Sequence, residues 1–128
     1  MRRILLSAAL VCVVAGCGSP PVSHFSLEKT KACLTGKGAR IVRPKSDIVA
    51  STASEGTFRA ILHGGTNFVT LAFGADDQEA LQIAQGYDRF HAKNVGVADI
   101  LFRDKNVTLL WKQHPSSDDV DLVSGCLK

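Results

Sequence analysis

The chain has few aromatic residues, and it lacks a strong charge excess and a long apolar run, two absences that each argue against a class of protein. Its 128 residues carry 15 Lys plus Arg against 12 Asp plus Glu, with one Trp, one Tyr and six Phe. This near balance argues against a nucleic-acid binder. No segment reaches the about 20 apolar residues of a membrane-spanning helix. A composition that is 45% hydrophobic and 21% charged is typical of one globular domain and not of a disordered chain.

Motifs for catalysis and metal binding are also lacking. The four histidines, His24, His63, His91 and His114, show neither H-x-x-x-H nor H-E-x-x-H spacing, and no cysteine stands at ligand spacing. There is no G-x-S-x-G around a serine and no C-x-x-C. The paired acids at 76–77 and 118–119 are explained by helix capping. We therefore expect a protein that is not an enzyme and holds no cofactor or metal ion.

The first 17 residues have the plan of a signal peptide. Arg2 and Arg3 form a basic start, and an uncharged, largely apolar segment of about 12 residues follows, too short for a permanent transmembrane helix. The segment closes with Val14-Ala15-Gly16-Cys17. This run resembles the lipobox of bacterial lipoproteins, in which small residues precede an obligatory cysteine. The resemblance covers the targeting segment alone.

The resemblance implies cleavage before Cys17 and acylation of the Cys17 thiol, with residues 1–16 removed as a signal peptide and residues 17–25 left as a lipidated tether. Two or three acyl chains make a durable anchor, because each buried methylene contributes about 0.8 kcal/mol. Gly18 resembles the second residue of lipoproteins sent to the outer membrane. We expect a lipid-anchored protein on the extracytoplasmic side of the cell membrane or outer membrane. The alternative is an ordinary secretory signal with a chance cysteine.

The cysteines predict one disulfide. Cys12 is removed with the signal peptide and Cys17 takes the lipid, which leaves Cys33 and Cys126 in the exported chain. Their bond would join the first helix of the domain to its last residues and close a loop of about 94 residues. A redox pair is the alternative, but no activating neighbour is evident.

Residues 26–128 are predicted to form a single α+β domain. The predicted helices are 26–35, capped by Ser26; 77–92, opened by the capping box of Asp76 and Glu79; and one after Pro115. The predicted strands are 39–43, 57–63, 67–73, 98–103 and 106–112, the last four in two hairpins. We expect a small antiparallel sheet of about five strands with three helices packed on one side, and the disulfide joining the first and last helices.

Two local patterns have simple structural interpretations. Gly64 and Gly65, beside His63, form a polar loop that could receive a small anion, but a hairpin turn is favoured because a strand and not a helix follows. Asn106-Val107-Thr108 matches a glycosylation acceptor, and we interpret the match as coincidence because it falls in a predicted strand.

Basic residues are concentrated just after the tether. Between Glu28 and Lys45 there are six of them and a single acid: Lys29, Lys31, Lys37, Arg40, Arg43 and Lys45. They form either a solvated helix face and strand edge, or a patch that faces anionic headgroups or an acidic envelope polymer. In the second case each charge contributes at most about 1 kcal/mol.

Three functions are compatible with these features. The preferred one is a non-catalytic interaction module of the cell envelope, which binds an envelope protein or ligand through its sheet face or through residues 45–56. The second is a small-ligand carrier with a pocket lined by Phe68, Tyr87, Phe90 and Trp111, although such aromatics are more often core. The third is an envelope enzyme whose residues meet only in the fold, and a cleft that joins histidines to an acid would favour it.

Overall fold

The computed structural model describes residues 24–90 and 97–128, and this part of the chain forms a five-stranded antiparallel sheet with three α-helices. The strands are β1 Arg40–Val42, β2 Gly56–Ile61, β3 Phe68–Phe73, β4 Leu101–Asp104 and β5 Val107–Trp111. The helices are α1 Leu27–Gly36, α2 Asp77–Phe90 and α3 Ser117–Ser124. The strand order is β1-β2-β3-β5-β4. The predicted α+β class is confirmed, whereas the predicted signal peptide, Cys17 and residues 18–23 of the tether lie outside the described residues.

Both predicted hairpins are present. β2 and β3 pair from Gly56 with Phe73 to Ile61 with Phe68, and the turn between them contains Gly64 and Gly65, both at a φ of about +70° that favours glycine. β4 and β5 pair through Asp104 and Val107. β4 begins at Leu101, later than the predicted 98, because residues 97–100 form a turn in which the Val97 carbonyl accepts from the amides of the third and fourth residues after it. The predicted end of the second helix lies outside the described residues.

The helices cover both faces of the sheet, so the prediction that they pack on one side was wrong. α1 and α3 share a buried cluster with the residues of one face, among them Leu34, Phe58, Leu71, Trp111 and Val123. On the opposite face, α2 and the segment before β2 share a smaller cluster: Ala50, Ala53, Ala72, Ile83 and Tyr87. The two faces therefore carry two cores of different size.

The disulfide between Cys33 and Cys126 is formed, as predicted, with a Cα–Cα distance of 5.5 Å. It joins α1 to the residues that follow α3, and Cys126 is fully buried. Ser26 caps α1 by accepting from the Lys29 amide. Among residues 24–90 and 97–128, no helix is long and apolar enough to cross a membrane.

Candidate functional site

A cavity of about 450 Å³ opens on the sheet face that carries α2. We call it the loop–helix pocket, since its walls come from the loop before β2 and from the end of α2. Its lining residues are Lys45, Ser46, Asp47, Ile48, Val49, Arg59, Tyr87, Phe90 and Leu110. The volume lies within the about 300 to 1,000 Å³ that is typical of small-molecule sites.

Asp47 and Tyr87 fix the loop wall of this pocket. The Asp47 carboxylate accepts from the Ala50 amide at 2.8 Å and from the Tyr87 hydroxyl at 2.9 Å. Tyr87 is buried, and burial together with the Asp47 charge raises the pKa of its hydroxyl far above the usual range. The hydroxyl therefore stays a donor at physiological pH, and the segment is held as a short 3₁₀ turn at Ala50–Thr52.

The mouth of the pocket exposes two large apolar side chains. Ile48 is 80% exposed and Phe90 is 76% exposed. The helical spacing of the apolar residues of α2 would place Phe90 in the core, and Ile48 is one of the two large apolar residues of its loop. Instead Ala50 and Ala53 fill the space against the sheet, because small side chains let the loop backbone lie close to it. The exposed pair is an apolar patch with no core role.

A positive charge is held at the base of the pocket. Arg59 donates from Nε to the Thr70 hydroxyl at 3.2 Å, and its guanidinium lies 4.2 Å from the centroid of the Phe68 ring. Lys45 supplies a second cation in the lining. Because the carboxylate of Asp47 is engaged by two donors, the arrangement suits an apolar group that carries a polar or anionic end.

The four aromatics predicted to line a carrier pocket are not brought together. Tyr87 and Phe90 line the loop–helix pocket, and Phe68 lies beside it beneath Arg59. Trp111 is buried in the larger core on the opposite face of the sheet. The reason is the register of β5, which alternates Leu110 toward α2 and Trp111 toward α3.

Glu79 holds the end of the same loop to α2. Its carboxylate accepts from the Ala75 amide at 2.6 Å and from both the amide and the hydroxyl of Ser54, at 2.7 and 2.6 Å. Asp76 accepts from the Glu79 amide, as the predicted capping box requires, but the return bond to the Glu79 carboxylate comes from the amide of Ala75 and not from that of Asp76. The bond from Ala75, followed by those from Ser54, lowers the pKa of Glu79 below its usual value.

We expect the Glu79→Gln change to lower the free energy of unfolding at pH 7 by about 1 kcal/mol, since the site is exposed to solvent. A carboxyl group with a lowered folded-state pKa stabilises fully above its unfolded-state pKa of about 4.5. That stabilisation is lost as the pH falls through the folded-state pKa. Urea unfolding at pH 7 and pH 3 should therefore show the difference between wild type and variant shrink at the lower pH. Glu28→Gln, in the first turn of α1, is the control, and an equal pH effect there would contradict the prediction.

The histidines of the described residues lie at separate places. His24 Nε2 is 2.7 Å from Glu55 Oε2, His114 contacts the Asp99 carbonyl at 3.2 Å, and His63 is exposed in the hairpin turn. His91 lies outside the described residues. Across residues 24–90 and 97–128, no group of three or more His, Cys, Asp and Glu side chains could hold a metal ion.

The six basic residues do not form one site. Lys31 and Arg43 line a second cavity, of about 280 Å³, between α1 and the β1 edge of the sheet. We call it the basic cleft, and its other lining residues are Ile41, Val42, Thr57 and Phe58. Lys45 belongs to the loop–helix pocket instead, while Lys29, Lys37 and Arg40 are exposed outside both cavities.

Asn106 holds the start of the domain, a role that sequence reasoning missed. Its buried side-chain amide accepts from the Phe25 amide at 2.7 Å and donates at 3.0 Å to the carbonyls of Phe25 and Gly74. The glycosylation match at this position is therefore on a side chain that is fully buried. The position of Asn106 directly after a predicted hairpin turn is the feature of the sequence that could have indicated this role.

Comparison of the chain with protein-family models, with curated proteins and with solved structures finds no match. The described residues form a small α+β domain closed by a disulfide, and its cavities include a pocket that is apolar at its mouth, a cleft that is basic, and another of about 240 Å³ between α3 and the β4–β5 hairpin.

Proposed function

We propose that the protein is a lipid-anchored lipoprotein of the bacterial cell envelope, held in the membrane through acyl groups on Cys17, and that its domain is a non-catalytic binding module. Its binding surface is the loop–helix pocket. The observation that carries this proposal is the exposure of Ile48 and Phe90 at the mouth of a 450 Å³ cavity. Large apolar side chains beside a concave surface are typical of interaction sites.

The polar groups of the pocket support binding and not acid–base chemistry. Tyr87 and Asp47 bond to each other, and Asp47 also receives the Ala50 amide. Arg59 is fixed by Thr70 and the Phe68 ring. These contacts hold the walls of the pocket in place before a ligand arrives, which reduces the ordering cost of binding.

The preferred occupant is an apolar side chain of an envelope protein, because the patch extends outside the cavity onto exposed surface. The second candidate is a small-ligand carrier, which is favoured by the cavity volume alone. In that case an amphiphile would place its apolar part between Ile48 and Phe90, with its polar end toward Arg59.

A photocrosslinking residue at position 48 of the full lipoprotein, in intact cells, should capture the occupant. A protein partner gives a discrete band of higher mass, whereas a small ligand gives a mass increase on the peptide that contains position 48. The matched control is position 118, which is exposed on α3 on the other side of the sheet. Phe90→Ser should reduce the captured fraction at position 48 about tenfold, which corresponds to 1.4 kcal/mol of contact. Equal capture at 48 and 118 would contradict the proposed site.

The anchor is tested in the same cells with Cys17→Ser. The variant cannot be acylated, so it should leave the membrane fraction or remain unprocessed. A Cys17→Ser protein that is both processed and membrane-bound would contradict the lipoprotein proposal without affecting the result at position 48.

A further inference from the structure

The point where the tether joins the domain is fixed. His24 pairs with Glu55, the residue before β2, and Phe25 is held by Asn106. The Ser26 amide donates to the carbonyl of Lys128 at 2.6 Å. One end of the sheet, formed by the start of β2 and the turn between β4 and β5, is therefore the end from which the tether leaves.

The basic cleft lies next to this end. Leu27, in the first turn of α1, packs so closely on Gly56 that a Cβ there would lie 3.0 Å from its side chain. Lys31 follows one helical turn later on the same face of α1. Thr57, the second residue of β2, lines the cleft together with Lys31 and Arg43. The two cations of the cleft therefore flank the strand that starts at the tether.

We propose that the basic cleft binds the phosphate of an anionic lipid headgroup in the membrane that carries the anchor. This inference rests on the lipid-anchoring part of the proposed function. The guanidinium of Arg43 can donate two parallel hydrogen bonds to phosphate oxygens, and the Lys31 ammonium adds a point charge. No acidic residue is among those that line the cleft, and its 280 Å³ admits a phosphate group.

The tether keeps the cleft near the headgroups. Seven residues, 18–24, separate Cys17 from Phe25, and a chain of that length spans at most about 25 Å when extended. The local concentration of lipid at the cleft is therefore high even when the intrinsic affinity is low. Arg40, by contrast, pairs with Ile61 at the far end of β2, and Lys37 follows the far end of α1. At physiological salt, charges beyond about 8 Å from the surface contribute little.

Amine acylation of the purified lipoprotein, reconstituted through its own anchor, tests the inference. Vesicles of phosphatidylglycerol are compared with vesicles of phosphatidylcholine, and labelling of each lysine is followed by mass spectrometry. Lys31 should react about fivefold more slowly in phosphatidylglycerol, whereas Lys37 should react equally in both. About 0.5 M salt should remove the protection, because it shortens the screening length. Free glycerol phosphate at high concentration should protect Lys31 as well, because it presents the same phosphate oxygens. Protection by glycerol phosphate without protection by phosphatidylglycerol vesicles would overturn the assignment to a lipid.

Two charge reversals of the same size provide the matched comparison. Arg43→Glu should abolish the protection of Lys31, while Arg40→Glu should preserve it. Equal loss in both variants, or no protection in the wild type, would overturn the inference. The same digest reports the mass of the Cys17 peptide. An acylated Cys17 with an unprotected Lys31 refutes the cleft alone, whereas an unmodified Cys17 refutes the proposed anchor and the lipid site with it.

Discussion

Replacing both Cys33 and Cys126 by alanine should lower the free energy of unfolding by about 4 kcal/mol. The bond spans a sequence separation of 93 residues, and a cross-link of a loop near this length removes about 4 to 5 kcal/mol of conformational freedom from the unfolded chain. A domain of this size has about 5 to 15 kcal/mol in total. The double variant should therefore lose between about a quarter and most of its stability.

Fluorescence of Trp111, the single tryptophan, reports the transition, because its side chain is buried beneath α3. Urea unfolding is compared for the oxidised protein, the reduced protein and the double variant. The last two both lack the cross-link and should unfold at lower urea than the oxidised protein, with the double variant slightly less stable than the reduced protein because alanine leaves a small space at the buried Cys126. An unchanged midpoint after reduction would show that the loop is already restricted in the unfolded state.

The larger core could be predicted from the sequence because its strands alternate in the usual way. Val69, Leu71 and Phe73 all point to the face covered by α1 and α3, and each is fully buried. The two glycines of the first hairpin and the remaining cysteine pair added local signals that need no knowledge of long-range packing. These features predict the two hairpins and the closure of the chain, whereas the pairing of β3 with β5 is seen only in the fold.

The smaller core, beneath α2, could not be predicted from strand alternation in the same way. Its strand residues are small or polar, as at Thr70, Ala72 and Thr108, and such residues in alternate positions are usually on a solvated face. Here the small side chains let α2 lie close to the sheet, and the Thr108 hydroxyl donates to the Ala80 carbonyl at 2.7 Å. A pattern that is typical of exposure therefore conceals a helix interface.

The loop–helix pocket depends on contacts between residues far apart in sequence. Asp47 meets Tyr87 across 40 positions, and Ser54 meets Glu79 across 25. Neither pair has a spacing that a motif search recognises. Ile48 and Val49 are the large apolar residues of this loop, yet Ile48 is exposed and two alanines fill the space against the sheet. The sequence pattern predicts the loop and the helix separately, and their contact is seen only in the folded structure.

Asn106→Asp should destabilise the domain more than Asn106→Ala, although aspartate is nearly isosteric with asparagine. In the alanine variant the amide of Phe25 and the carbonyls of Phe25 and Gly74 lose their partner, and unpaired buried groups cost about 1 to 3 kcal/mol each. We expect a loss of about 3 kcal/mol after partial rearrangement and hydration of residues 24–26. Aspartate keeps the acceptor for the Phe25 amide, but it places a carboxylate oxygen against two carbonyl oxygens.

The pH dependence separates the two variants. A buried carboxyl group facing two carbonyls has a raised pKa in the folded state, so its folded form is favoured below the unfolded-state pKa of about 4 and becomes less stable as the pH rises through the folded value. The Asn106→Asp protein should therefore gain stability between pH 7 and pH 4 relative to Asn106→Ala, because a protonated carboxyl can donate to one carbonyl. This sign is opposite to that expected for Glu79. Equal stability of both variants at pH 7 would mean that residues 24–26 separate from the domain at little cost, and that the tether joins the fold through a mobile end.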